Sequence, residues 1–399
     1  LQLISMTITE KGYSLLTNDG SFLPFILADL EAGPAEASSF IPKLTALLYE
    51  RYRIQAGKLT LLSMDNCSHN GDKLALAVQT VAAQWHRRGF VDEGFNTYLK
   101  KQVSYPWSMI DKITPHPDTN VQEMLSASGF ADTSIIVTAK HTHTAAFVNA
   151  EEPEYLVIED AFGNGRPPLE KVGVYLTDRT TVDQVERMKV TTCLNPLHTA
   201  LAIFGTLLGY RLINEEMQDP QLRRMVERIG YDEGMPVVVD PKILDPKAFI
   251  DEVLTVRFPN PFMPDTPQRI VTDTSQKLSI RFGETIKAYL TNPELDVDSL
   301  QMIPLVYAGW LRYLLGLDDE LAELSLSPDP RLEEAQAYLT GIAIGDRAPY
   351  PTLSPLLEDA TIWGVDLVAI GMAPKVIEYF QRLIAGPGAI RKTLQESVQ

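Results

Sequence analysis

Leu59-Thr60-Leu61-Leu62-Ser63-Met64-Asp65-Asn66-Cys67-Ser68-His69-Asn70-Gly71 is the stretch whose reading decides how this chain folds. Its first six residues form a short apolar run of strand length. The polar residues after it turn the chain, and from Asp72 through Trp85 apolar residues return at helical spacing. Upstream, Ser38-Ser39 can cap a helix through Leu44, Leu47, Leu48 and Tyr52, which Gly57 ends, and Leu3 to Ile8 has strand character. Strand, crossover helix and strand predict an α/β fold with a parallel sheet. Ligand sites in such a fold lie at the carboxyl ends of the strands, where the polar loop after Met64 falls.

Downstream, strand-like runs at Ser134 to Thr138, Tyr155 to Ile158 and Val172 to Leu176 are expected to extend the same sheet. Beyond about residue 180 the pattern is almost wholly helical, with amphipathic segments near 195–210, 221–230, 246–256, 276–290, 298–316, 332–344 and 373–385. The punctuation is proline-rich: Pro259-Asn260-Pro261, Pro264, Pro267, Pro328, Pro330 and Pro349 to Pro355. A length of 399 residues fits two domains, divided here into 1–182 and 183–399.

The net charge of −17 opposes binding to nucleic acid or to an anionic membrane surface. Cys67 and Cys193, far apart, fit a reducing compartment without a disulfide framework or a zinc site. No apolar run approaches the roughly 20 residues that span a bilayer, and no signal peptide is evident, so a cytoplasmic protein is expected. The chain opens in mid-strand without a methionine, and the expectation is that natural sequence precedes Leu1.

Three segments can carry chemistry. The amide of Asn66 could hold an oxyanion or a substrate hydroxyl; equally, 65–71 could be a turn whose Asn and Gly supply backbone geometry and a cap. Lys189, Asn195 and His198 flank the start of a strongly apolar helix. A lysine withheld from water can act as a base near neutral pH, an Asn at a helix N-terminus can stabilise negative oxygen, and a nearby His can orient substrate. The plainer alternative is a solvated Lys189 and a core His198. Arg257, entering the proline-rich loop, can clamp a carboxylate or polyhydroxyl substrate, or cap helix carbonyls. Two further patterns mislead. Gly163-Asn164-Gly165-Arg166-Pro167-Pro168 lacks the third glycine of a dinucleotide fingerprint. His141-Thr142-His143 would put two imidazoles on one strand face, but no Cys or carboxylate at matching spacing supports a metal.

Taken in order, several segments resemble one family, the long-chain polyol-specific dehydrogenases, which include mannitol 2-dehydrogenases and fructuronate reductases. They are Thr7 to Tyr13, Met64-Asp65-Asn66 with His69-Asn70-Gly71, Met109 to Pro115, Val157-Ile158-Glu159-Asp160 with Phe162 and Gly165-Arg166-Pro167, the Lys189/Asn195/His198 segment, Arg257 to Pro261 and Asp273 to Lys277. The resemblance implies a Rossmann-type domain joined to a mostly helical one, and reversible hydride transfer between NAD or NADP and a secondary alcohol of a sugar acid or polyol, without a metal. It implies Lys189 as general acid/base, Asn66 and Asn195 as hydrogen-bond donors to the reacting oxygen, and His198 beside it. Asp111 would contact the nicotinamide side, Arg257 the substrate, and Glu186 would influence proton traffic. Two departures stand out. Five residues separate Lys189 from Asn195 where the family has four; a bulge or altered turn could absorb the extra residue, and otherwise helical phase would swing the lysine by roughly 100°. The family's glycine-rich first strand-turn-helix has no counterpart here, and truncation of the sequence is the expected reason. A non-catalytic binding protein of the same fold is the rival expectation.

Overall fold

The computed structural model describes every residue except Thr9, Asn18 and Lys140, and of Glu10 only the backbone. Thr9, inside the first family-like segment, thus lies outside the described residues. The chain forms two compact units, Leu1–Lys112 with Pro153–Glu186, and Ile113–Glu152 with Arg187–Gln399. The division differs from a single break at 182, because Ile113–Glu152 cluster with the second unit.

In the first unit, β1 (Leu3–Met6), β2 (Leu59–Ser63) and β3 (Val103–Ser104) form a parallel sheet in that order, with Leu3 opposite Thr60 and Leu59 opposite Val103. All five residues of β2 are buried, as a central parallel strand requires. The helices Phe40–Arg53 and Asn70–Arg87 bring Leu48, Val78, Val81 and Trp85 into the core. Ser39 stands at the N-cap position without a capping bond, because its hydroxyl and that of Ser38 both donate to buried Asp29.

The expected extension of this sheet needs correction. β4 (Ser108–Asp111) starts a separate ladder after Pro106. That residue has no N–H to continue a sheet, and the N–H of Trp107 donates to the side chain of Glu159 at 3.0 Å. The run at 134–138 shortens to β5 (Ile136–Val137), which among the described residues pairs with β6 (His143–Thr144), in the second unit. β7 (Tyr155–Glu159) pairs antiparallel with β4 and parallel with β8 (Tyr175–Thr177), giving a second three-stranded sheet in the order β4-β7-β8.

The remainder of the second unit is helical. The helices Asn195–Leu207 and Met302–Tyr313 are buried almost all round, so they form its centre. Four π-helical segments occur among the described residues: Lys189–Cys193, Arg228–Gly234, Val253–Arg257 and Ser279–Gly283. The first packs against both the second and the fourth. The Glu233 carboxylate accepts from the backbone N–H groups of Gln301, Met302 and Ile303 at 2.6, 2.6 and 2.9 Å, so one π segment supplies the cap of the central helix. The prolines at 349–355 do not merely break structure. A helix runs over Tyr350–Leu357, with a proline in its first turn, where no N–H partner is needed, and Pro355 inside it.

Candidate active site

The sequence-predicted residues fall into both units: Asn66 and Asp111 in the first, Lys189, Asn195, His198 and Arg257 in the second.

In the first unit, β2 ends in a loop fixed by Asp65. Its buried carboxylate accepts from the Tyr13 hydroxyl at 2.5 Å, the Ser63 hydroxyl at 2.9 Å and the Cys67 N–H at 2.9 Å. Burial, followed by the bond to Asp65, pushes the Tyr13 phenol well above its usual range, so it stays a donor. Asn70 is fully buried. Its amide donates to the Asp65 carbonyl at 3.1 Å and the Ser108 hydroxyl at 3.0 Å, and accepts from the Ser108 N–H at 3.0 Å. It thereby splices the end of β2 to the start of β4, whereas no side chain caps the following helix, and the left-handed turn residue is His69 rather than an Asn or Gly. Asn66, between these anchors, is exposed. His69 adopts a left-handed conformation with φ of 50°, stacks on Trp107 with ring centroids 4.0 Å apart and meets Asp183 at 3.0 Å. Asp111 is buried at the end of β4, opposite Tyr155.

In the second unit, Lys189 opens a π turn. The Leu194 N–H donates to the Lys189 carbonyl at 3.1 Å, the i→i+5 bond that accommodates one extra residue. The π turn thus absorbs the extra residue of the five-residue spacing, and Lys189 is buried within it, 6 % exposed. Glu186 lies in the last turn of the preceding helix, Arg179–Met188, and is half-buried. Asn195 is the first residue of the next helix, with His198 one turn later on the same face.

His198 Nε2 lies 2.9 Å from Asp265 Oδ2, and its ring stacks on Phe258 at 5.1 Å. Burial lowers the proton affinity of His198 against the opposing pull of Asp265. Burial alone would raise the Asp265 carboxyl, but His198 and Arg269 outweigh it and hold the group below the ordinary carboxylate range. The neutral imidazole then carries its hydrogen on Nε2, toward the carboxylate. Nearby, the Arg281 guanidinium donates to the Thr199 hydroxyl, and burial draws its pKa down to about 10.

Arg257, the last residue of its π segment, is held by Glu151 in a fork: Nε to Oε2 at 2.8 Å and Nη2 to Oε1 at 2.7 Å. His198, Arg257, Glu151, Asp265, Phe258 and Leu194 line one cavity of the second unit. Sequence reasoning missed Glu151 and Asp265. Both sit in irregular loops, where no hydrophobic period marks a position; the one available signal for Asp265 was its place in the same proline-rich loop as Arg257.

The two misleading patterns resolve as backbone features. His141 sits in a turn with φ of 58°, and only His143 belongs to β6, where it packs against His116 at 4.8 Å, so the two imidazoles do not share a strand face. Gly163 and Gly165 form an isolated bridge, and a short 3-10 turn, Leu169–Val172, follows Pro168. Among the described residues no group of three potential metal ligands occurs, and no helix is long and apolar enough to cross a membrane.

Residues 3–171 match the family model described as the mannitol dehydrogenase Rossmann domain, and residues 181–379 that of the mannitol dehydrogenase C-terminal domain. The chain is 52% identical over 403 residues to the D-mannonate oxidoreductase of Thermotoga maritima, covering 100% of this chain and 74% of that protein. Against the D-mannonate oxidoreductase of Escherichia coli it is 30% identical over 339 residues, covering 84% of this chain and 64% of that one. Its fold is similar to that of Pseudomonas fluorescens mannitol 2-dehydrogenase, solved as a ternary complex with NAD and D-mannitol. That match has a TM-score of 0.68 and 28% identity, over 99% of this chain and 74% of the other. A Rossmann domain followed by a mostly helical C-terminal domain, matched over the whole of this chain and 74% of a relative sharing half its residues, places this chain in the mannitol dehydrogenase family of oxidoreductases.

Proposed function

We propose that this protein interconverts a secondary alcohol and a ketone on a sugar acid of the mannonate/fructuronate type, with Lys189 as general acid/base. The observation that carries the reading is the π turn. It buries Lys189 and delivers it next to the start of the helix that bears Asn195 and His198. The 52% identity to a protein named D-mannonate oxidoreductase supports the sugar-acid class.

A nicotinamide cofactor, NAD or NADP, fits the carboxyl edge of the first unit's parallel strands. Exposed Asn66, in the loop after the parallel strand β2, and buried Asp111, at the end of β4 in the second sheet, are the polar groups that would face it. When bound, the nicotinamide supplies or accepts the hydride. The protein's own residues handle the oxygen. In oxidation the Lys189 amine takes the hydroxyl proton; in reduction the ammonium returns it to the carbonyl oxygen. The amide of Asn195 donates to that oxygen and stabilises its developing negative charge. His198, with Nε2 committed to Asp265, offers the other ring nitrogen as an acceptor for a substrate hydroxyl. Arg257 contacts the far end of the substrate.

The second reading is a neutral polyol substrate, favoured by the commitment of Arg257 to Glu151 and by the likeness to mannitol 2-dehydrogenase. The test is oxidation of NADH or NADPH in the presence of fructuronate, tagaturonate or fructose, each supplied alone. Turnover of fructuronate with little on fructose is expected; reaction with fructose alone overturns the sugar-acid assignment.

A further inference from the structure

Arg257 and Glu151 form a deeply buried ion pair of the second unit, with side chains 3% and 1% exposed. Glu151 is itself fastened: its Oε1 accepts from the Ile113 N–H at 2.7 Å, and its own N–H donates to the Ile113 carbonyl at 3.2 Å. A carboxylate tied at three points is not a side chain that a ligand displaces cheaply. The cavity beside it has its other charges matched as well, Asp265 being met by His198 at 2.9 Å and by Arg269. A guanidinium so neutralised still donates hydrogen bonds, but it presents little net positive charge to an incoming anion.

We infer that Glu151 is a positioning and specificity-determining residue: it aims Arg257 at the substrate and, by cancelling its charge, tempers the preference for a sugar acid over a neutral sugar. The inference rests on the proposal that Arg257 faces the substrate. Glu151 keeps the guanidinium in one orientation through the fork, and it sets how far the site distinguishes a carboxylate from a hydroxymethyl group at the same end.

The test compares kcat/KM for fructuronate with kcat/KM for fructose, both with saturating reduced nicotinamide cofactor. In Glu151→Gln the amide retains a hydrogen-bonding partner for Arg257 but leaves its charge uncancelled. The ratio of fructuronate to fructose is expected to rise by about tenfold, the order expected of one unmatched charge several ångströms from an anion in a polar site. Glu151→Asp keeps the negative charge and is expected to leave the ratio within about threefold of the unaltered enzyme, the scatter of charge effects in different contexts. A purely structural role would lower both activities in parallel, and an unchanged ratio in Glu151→Gln overturns the inference. If that variant does not fold, the neutral pair Glu151→Gln with Arg257→Gln takes its place, since neutral replacement of a buried pair is often tolerated. Its ratio is expected to stay near the original. A fall of more than about tenfold there would mean that the Arg257 charge reads the carboxylate despite Glu151, and it overturns the inference. An unaltered enzyme that reduces neither substrate would instead remove the functional reading beneath it.

Discussion

In the first unit, the candidate residue Asn66 stands exposed in a loop just past a regular, fully buried strand, and Asp65 and Asn70 on either side of it fix the loop by hydrogen bonds. In the second, Lys189 begins one π segment and Arg257 ends another, and both are buried. The two regions thus place reactive groups by different physics. The α/β unit sends the chain out of the sheet where backbone pairing stops, and polar side chains at that edge become available. The helical unit has no parallel sheet among its described residues, and it inserts an extra residue into a helix. The wider turn frees carbonyls and re-aims a side chain that regular winding would direct elsewhere. The freed groups find partners: the Thr191 hydroxyl donates to the Arg187 carbonyl at 2.7 Å, and the Thr285 hydroxyl donates to the Thr191 carbonyl at 3.4 Å.

The largest effect that sharpens this contrast is expected at Lys189. Lys189→Ala should lower turnover by about 10²–10⁴-fold, the usual contribution of a proton-transfer group, while nucleotide binding followed by fluorescence titration survives. Near-normal turnover would reduce the π turn to a packing feature.

A smaller effect is expected in the first unit, where the anchor is structural. Asn70→Ala strands the Ser108 N–H in the interior and should cost about 1–3 kcal/mol in denaturant unfolding, the penalty for leaving a buried polar group unsatisfied. A variant with unchanged stability would show that the loop around Asn66 does not depend on this splice.

The smallest expected effect concerns Glu216 in the second unit. Its carboxyl is completely buried, and neither oxygen has a hydrogen-bond partner among the described residues. Burial, then the nearby charges of Asp265, Asp219 and Glu215, raise its pKa well above the usual value. The folded state therefore keeps a proton that the unfolded chain gives up, and this contribution to stability, complete below the unfolded pKa, fades as pH rises toward the folded one. Glu216→Gln removes that dependence. Its Tm should exceed that of the unaltered protein by a few degrees near pH 8, with the gap narrowing toward pH 5. A gap independent of pH would mean that Glu216 does not carry the proton.

How much of this was legible in the sequence follows the same divide. Regular elements of the first unit announce themselves through burial pattern, as in Leu59–Ser63, and through helical period, as in Asn70–Arg87. The break between the two sheets was not legible, because a strand-like run such as 155–158 does not say which partner it will take; Pro106 and the side chain of Glu159 decide that. In the second unit the helices at 195–207, 302–313 and 373–383 were visible, whereas π turns have no hydrophobic signature of their own. Only the one-residue excess between Lys189 and Asn195 hinted at the first of them. The partners of His198 and Arg257, Asp265 and Glu151, come from loops distant in sequence, and their meeting is a product of tertiary packing alone.

The measurement that bears most directly on the central claim is a crystal structure of the enzyme with its nicotinamide cofactor and a sugar acid bound. Lys189 Nζ is predicted within about 2.6–3.2 Å of the reacting oxygen, with the Asn195 amide on the same atom. An ammonium group directed into bulk water, with that oxygen held by other residues, would contradict the account.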